Sequence, residues 1–351
     1  MRRENTMGKN KLVCFIIPYF GTLPNYFPLF LRSCEINVDY DWLLLTDDHT
    51  PFDYPDNVKV IYMTFDQLKK RIEQRFPFPI SLPSPKKLCD FKPTYGFIFE
   101  EELKPYPYWG YCDIDLVLGD IGAFLPIAEL RKYQKHFYCG HMSIYENSEQ
   151  MRLLFDKGHS RKEGDVAKLG YLDVFQSGGA FAFDEWMPNV ETINEVAEAM
   201  NICINPETPM LDVRPFRSRF YSTVFDPSVH TWIHNSEDNF IVTWEKGKLY
   251  AYSEALDGSL SKKEILYAHF QKRKMNFADV DLNADSFLFF PNGIKSCNQI
   301  TEKMILHHMT KARIRRWCRV DENHKRIHDF ASLWKHRINK YVRPFLKGEM
   351  D

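Results

Sequence analysis

The stretch Tyr108-Trp109-Gly110-Tyr111-Cys112-Asp113-Ile114-Asp115 runs apolar and aromatic residues into two aspartates separated by one isoleucine. In an extended strand alternate side chains share a face, so Asp113 and Asp115 are expected to point one way and Ile114 the other. Two carboxylates converging at a strand end repel each other unless a cation sits between them. Hard divalent ions such as Mg²⁺ or Mn²⁺ prefer oxygen ligands and keep positions open for substrate phosphates, so the motif predicts a metal-diphosphate site. The plain alternative is a solvated or salt-bridged pair, since 47 of the 351 residues are Asp or Glu. Two internal controls weigh against it. Asp39-Tyr40-Asp41 and Asp279-Val280-Asp281 share the spacing, but the first precedes a strand pattern and the second lies in polar sequence. Only the Asp113 pair closes a buried-looking strand, and the apolar Leu116-Val117-Leu118 follows it, where unpaired charge would be costly.

Three further constellations bear chemistry. The run Ile265-Leu266-Tyr267-Ala268-His269-Phe270 reads as a strand that leads into Gln271-Lys272-Arg273-Lys274. A strand-end histidine followed by three cations suits imidazole on a metal and ammonium on a phosphate; a structural histidine is the competing reading. In Phe175-Gln176-Ser177-Gly178-Gly179-Ala180-Phe181, the paired glycines either let a ligand approach the backbone or form an ordinary turn into a strand. Lys86 to Glu101 reads as a helix, kinked or restarted at Pro93, with Lys87, Asp90 and Lys92 beside Phe91, Tyr95 and Phe99. Its basic residues either bind phosphate or are solvated.

The elements that must position these groups alternate. Apolar runs at Leu12 to Ile17, Trp42 to Thr46 and Val58 to Met63 read as strands, with helices over Asn25 to Ile36 and Phe65 to Arg75. That alternation predicts an α/β fold with a parallel, doubly wound sheet. Ligands of such sheets collect at the carboxyl ends of the strands, where Tyr19, Asp47 and Asp48 fall. The Pro-rich segment from Pro77 to Pro85 is a rigid connection. His136 to Met142 reads as a strand, and Phe240 to Tyr252 as a hairpin turning at Glu245-Lys246-Gly247.

Composition bounds the function. A chain of 351 residues with 44% apolar content builds one large or two smaller domains with a substantial core. A net charge of −1 argues against a nucleic-acid binder. From Lys303 to Asp351, however, thirteen Lys or Arg face five Asp or Glu. Segments Gln299 to Trp317 and Asp321 to Phe345 read as basic, aromatic-bearing helices, suited either to an anionic membrane surface or to capping the preceding domain. The eight cysteines show no C-x-x-C pairing and no zinc-type spacing, which fits a reducing compartment. No run is long enough for a membrane span and no signal peptide is read at the N-terminus. The expectation is a cytoplasmic protein, or one peripheral to the cytoplasmic face of a membrane.

The order of these motifs resembles nucleotide-sugar glycosyltransferases of the A-type fold. Phe175 to Gly179 is similar to the donor-sugar loop of the retaining family related to glycogenin and the lipopolysaccharide galactosyltransferases. The whole also resembles bacterial proteins encoded in capsule and lipopolysaccharide loci, over roughly residues 10 to 275. The resemblance implies a Rossmann-like, mostly parallel sheet flanked by helices. Residues 10–295 would be the catalytic domain, with a nucleotide-binding half at 10–120, an acceptor half at 121–295 and a basic helical extension at 296–351. It implies that Asp113, Asp115 and His269 hold Mn²⁺ or Mg²⁺ and that Lys272 contacts phosphate. Tyr19, Asp47, Asp48, Asp90 and Lys92 would border the nucleotide sugar, and Gln176, Ser177, Gly178 and Gly179 would shape the donor-sugar pocket.

Two departures stand out: Gln176 is near the place of the retaining family's donor-loop asparagine, and His269-Phe270-Gln271-Lys272 replaces His-x-x-Gly-x-x-Lys. Stereochemistry stays open. An inverting enzyme needs a carboxylate base, for which Asp173, Asp184, Glu237 and Asp238 are candidates, with Asp238 first. The reading is a metal-dependent transferase moving a hexose from a UDP-sugar to a glycan or lipid-linked acceptor of a bacterial surface polysaccharide. A nucleotidyltransferase or nucleotide-sugar hydrolase, and a non-catalytic sugar-binding or assembly protein, are the alternatives.

Overall fold

The computed structural model describes residues 11–163, 166–213, 219–226, 228, 231–235, 240–254, 259–271, 273–277 and 280–317. The apolar runs become strands β1 (Val13–Tyr19), β2 (Tyr40–Thr46), β3 (Val58–Tyr62) and β4 (Tyr108–Cys112), followed by β5 (Leu116–Leu118). Helix α1 (Phe27–Glu35) crosses from β1 to β2, and α2 (Phe65–Glu73) lies between β3 and β4. The start of α2 is set by a capping box in which Thr64 and Gln67 bond each other's main chain. Strands β3, β2, β1 and β4 pair in parallel in that order. Alternate residues feed opposite layers: Val13, Phe15 and Ile17 pack into one core and Cys14 and Ile16 into the other. This is why the runs are continuously apolar.

Beyond β5 come β6 (Lys135–His136), β7 (Met142–Glu146), the short ribbon β8 (Arg161–Glu163) and β9 (Val166–Lys168), and β10 (Ile204–Asn205). β7 pairs antiparallel with β4, and β6 and β10 complete a seven-stranded sheet ordered β10-β6-β7-β4-β1-β2-β3. The expected strand from His136 to Met142 is broken by Phe137, whose φ of 73° turns the chain between β6 and β7.

The later strands are β11 (Met210–Asp212), β12 (Tyr221–Asp226), β13 (Thr231–Asn235), β14 (Ile241–Glu245), β15 (Lys248–Glu254), β16 (Leu260–Ile265), β17 (Tyr267–His269), β18 (Ser286–Phe290) and β19 (Gly293–Cys297). They build sheets ordered β13-β12-β11-β17-β5 and β16-β15-β14-β18-β19. The expectation of a mostly parallel sheet is therefore met around β1 and corrected here, where antiparallel pairing dominates. The cause is local. The β14–β15 turn has Lys246 at φ 49° and Gly247 at φ 93°, a two-residue hairpin with no room for the crossover a parallel pair needs. The expected single strand from Ile265 to Phe270 also splits, changing sheets at Leu266 between β16 and β17.

Two other expectations change. Lys86 to Glu101, expected as a helix kinked or restarted at Pro93, is interrupted there, where Pro93 lacks the N–H a continuous helix requires, and is broken further into a relay of short α and 3₁₀ turns. The paired glycines lead into no strand: helix Tyr171–Gln176 ends in bends at Ser177 to Gly179 and irregular chain follows. A helix, Glu302–Trp317, stands within the expected Gln299 to Trp317, whereas the one expected over Asp321 to Phe345 lies outside the described residues. None of the described helices is long and apolar enough to cross a membrane.

Gly110 keeps β4 close to its neighbours. A Cβ there would stand 2.5 Å from the Ser143 carbonyl oxygen of β7 and 3.0 Å from the Phe15 ring of β1. Because the nearest atom is sheet backbone, Gly110→Ala is expected to destabilise the fold by about 1–3 kcal/mol. A lowered denaturation midpoint in urea would register it, and an unchanged midpoint would refute the packing argument.

Candidate functional site

Strand register assembles the site. β4 ends at Cys112, and the chain bends through Asp113, Ile114 and Asp115 before entering β5. The aspartates thus occupy a bend between two sheets, a correction to the extended strand expected. They converge because each side of the bend is pinned. The Asp113 N–H donates to the His141 carbonyl at 2.9 Å, and the Phe270 N–H donates to the Asp115 carbonyl at 2.8 Å. Ile114 points into the core. β17 runs antiparallel to β5 with His269 opposite Leu116, and β11 runs parallel to β17 with Asp212 opposite His269. One ligand atom from each of Asp113, Asp115 and His269 lies within 4.8 Å of the others, a cluster that could hold a metal ion.

The surroundings are densely charged. His269 places Nε2 3.5 Å from Asp115 and Nδ1 3.2 Å from Asp212. Burial alone would lower its pKa, but these two carboxylates raise it to about 10. His141 stacks on His269 at 4.4 Å and shares a 2.9 Å hydrogen bond with the Tyr267 hydroxyl; burial and the neighbouring His269 hold it near 3. Gln271, at φ 49°, donates to Asp212 at 2.7 Å. Lys92 donates to Asp113 at 2.8 Å and to the Gly140 carbonyl at 2.7 Å, and lies 3.4 Å from Asp184. Burial opposes charge on Lys92, yet Asp113 and Asp184 hold its pKa well above the usual lysine value. Burial pushes Asp184 up to about 8 and Glu185 up to about 7, in both cases against Lys92.

The cluster separates two cavities. One, of about 410 Å³, lies against Asp115 and is lined by Tyr19, Leu23, Tyr26, Arg273 and Lys274 among others. It opens where β1 and β4 leave the sheet in parallel while α1 departs toward β2, the switch point at which such sheets bind ligands. The Tyr26 hydroxyl on its wall is buried without a hydrogen-bond partner. The other cavity, of about 390 Å³, includes Asp113, His269, Lys92, Asp184, Glu185 and Asp212 in its wall.

The expected site residues divide into groups. Asp113, Asp115, His269, Tyr19 and Lys92 come together, although Lys92 is engaged by carboxylates and a carbonyl rather than held out toward phosphate. Asp47 and Asp48 act through the loop after β1: they accept the Gly21 N–H at 2.7 Å and the Leu23 N–H at 2.8 Å. Asp90 corrects the expectation of donor contact. It is fully buried, ion-paired with buried Lys87 at 2.7 Å, and accepts N–H groups of Phe181 and Phe183. Lys87 in turn bonds the carbonyls of Val174 and Gly179. Gln176 is exposed, Gly178 lies near Ser81 and Pro83 and Gly179 near Phe181, and none of the residues 176–179 is in either cavity wall. Asp173 caps its own helix through the Gly170 N–H. Asp238, Glu237 and Lys272 lie outside the described residues.

Sequence reasoning missed Asp212, His141, Gln271 and Glu185. Asp212 carried a signal, an acid closing the apolar Met210-Leu211, the same pattern that marks Asp47 and Asp113. Glu185 follows Asp184 after the apolar Phe181-Ala182-Phe183. Gln271 comes in with His269, two residues before it, and His141 carries no signal, because pairing between distant strands alone brings it in.

Removing the Asp90 carboxylate strands a buried ammonium, the buried Phe183 N–H and the half-buried Phe181 N–H. Asp90→Ala is expected to cost about 3–5 kcal/mol, measured as a fall in unfolding free energy in denaturant. A change below about 1 kcal/mol would show that the clamp on residues 174–183 is dispensable.

Residues 15–298 match the profile of a family of unknown function (DUF6625), and the chain belongs to that family. No curated protein matches it.

Proposed function

We propose that this DUF6625 protein is a divalent-metal-dependent glycosyltransferase of the A-type fold, moving a hexose from a UDP-sugar to an acceptor of a bacterial surface polysaccharide. The observation that carries the reading is the position of Asp113, Asp115 and His269 between two cavities of different character. The cavity against Asp115 offers Tyr19 and Tyr26 beside the cations Arg273 and Lys274, a surface for a nucleoside and its diphosphate. The other offers mainly carboxylate, imidazole and amide groups, which hydrogen-bond sugar hydroxyls. A donor whose diphosphate meets the triad would extend one end into each.

The triad fits Mn²⁺ or Mg²⁺ by its chemistry: two carboxylate oxygens suit either ion, and the imidazole favours Mn²⁺. When bound, such an ion supplies positive charge to the departing diphosphate. The protein's own groups prepare that role. Asp212 faces His269 Nδ1 and leaves Nε2 turned to Asp115, the arrangement by which a second carboxylate orients a ligating histidine. Lys92 holds Asp113 against Gly140. Arg273 and Lys274 add fixed positive charge on the nucleotide side, where charge develops as the anomeric bond breaks. The basic sequence from Lys303 to Asp351 would rest on the cytoplasmic face of the membrane, where a lipid-linked acceptor is presented.

Isothermal titration of UDP in Mn²⁺ is expected to give saturable binding that vanishes in EDTA and in the Asp113→Ala, Asp115→Ala double variant. UDP binding indifferent to both changes would sink the assignment. Asp212→Asn is expected to weaken Mn²⁺ affinity by about 10–100-fold, followed by the paramagnetic resonance of free Mn²⁺; affinity equal to wild type would remove Asp212 from the support of His269.

A further inference from the structure

Every carboxylate around the second cavity but one is engaged. Asp113 and Asp184 share Lys92, and Asp212 takes His269 and Gln271. Glu185 lines the same cavity, and its carboxylate makes no hydrogen bond or ion pair among the described residues. Its main chain, by contrast, is firmly held. The Glu185 N–H donates to the Ala182 carbonyl at 3.0 Å, and its carbonyl accepts from Asn194 at 2.7 Å. Ala182 sits at φ 47°, a left-handed conformation unusual for alanine, which directs the chain back into the cavity wall. Gly140 makes the approach possible: a Cβ there would lie 2.7 Å from Asp184 Oδ2 and 3.2 Å from the Glu185 Cβ. An unpaired carboxylate in a largely buried cavity costs free energy, so its retention on a rigid turn calls for a chemical reason.

We propose that Glu185 is the general base of the transfer, and that the reaction inverts the anomeric centre. This rests on the glycosyltransferase reading above. The Glu185 carboxylate removes the proton of an acceptor hydroxyl bound in the second cavity. The hydroxyl oxygen forms a bond to the anomeric carbon, the bond from that carbon to the diphosphate oxygen breaks, and the electron pair leaves with the diphosphate. The products are the new glycoside, UDP and protonated Glu185, which returns its proton to solvent. Asp184, held by Lys92, positions the wall.

The test uses the full chain with Mn²⁺ and a panel of UDP-glucose, UDP-galactose, UDP-N-acetylglucosamine and UDP-N-acetylgalactosamine, with water as the acceptor. UDP release gives the rate, and proton NMR gives the configuration of the freed sugar. Wild type is expected to release UDP with inversion. Glu185→Gln should be slower by about 100-fold or more while binding UDP as wild type does, which shows that it is folded, and Glu185→Asp should recover part of the rate. Retention of configuration, or a Gln variant about as fast as wild type, overturns the assignment while leaving the glycosyltransferase reading intact. Failure of wild type to bind UDP overturns both.

Discussion

The geometry of this protein depends on the two main-chain hydrogen bonds that grip Asp113-Ile114-Asp115, from Asp113 to the His141 carbonyl and from Phe270 to the Asp115 carbonyl. They tie the last strand of the parallel block to the edge of the second sheet. A carboxylate pair on a free loop would spread to relieve its own repulsion. Here the backbone is fixed on both sides and Ile114 is buried between them, so the repulsion has to be met by cations. The register of β17 on β5, and of β11 on β17, then decides which other groups arrive.

What arrives is a charge network that solvates itself unevenly. Lys92 neutralises Asp113 and draws in Asp184, and His269 lies between Asp115 and Asp212. Each carboxylate perturbs the next, and burial magnifies the effect because low polarisability around the site weakens screening. The raised values of Asp184 and Glu185 and the raised value of His269 share that origin. A strongly perturbed cluster lining a cleft is a candidate functional site. The buried Lys87–Asp90 pair is the instructive contrast: it is fully enclosed, fully bonded, and lies in neither cavity wall. Its work is to fasten the segment that ends in Asp184 and Glu185.

How much of this was legible follows from sequence distance. The parallel block was readable because each strand is a continuous apolar run and each helix has its own period, signals contained within ten or so residues. Asp113, Asp115 and His269 were readable because each closes such a run. Lys87 and Asp90 showed charge on what read as a helix kinked or restarted at Pro93, and nothing local says that the acid turns inward toward Phe181 and Phe183. The paired glycines suggested close ligand approach, but Gly178 lies near Ser81 and Pro83, Gly179 lies near Phe181, and neither lines a cavity at the cluster. His141 reaches the site only through pairing between strands far apart in the chain, which no local pattern encodes. The antiparallel half was half-visible: its hairpin turn was evident, while the change of sheet at Leu266 leaves no compositional trace.

The position of Gly140 joins these strands of argument. It accepts Lys92 through its carbonyl, precedes the residue that anchors Asp113, and leaves open the space that Asp184 and Glu185 fill. A side chain there would push the 182–185 turn away from the aspartates and enlarge the cavity between them. The distance between the triad and the free carboxylate is therefore set by backbone contact rather than by flexible side chains. Chemistry that needs a base and a cation on opposite sides of one bond requires that kind of rigidity, since misplacement of reacting groups by even about 1 Å can cost orders of magnitude in rate. A protein that merely bound sugar would gain little from fixing an unpaired carboxylate at such a position, because a neutral amide would hydrogen-bond a hydroxyl there without the cost of burying charge.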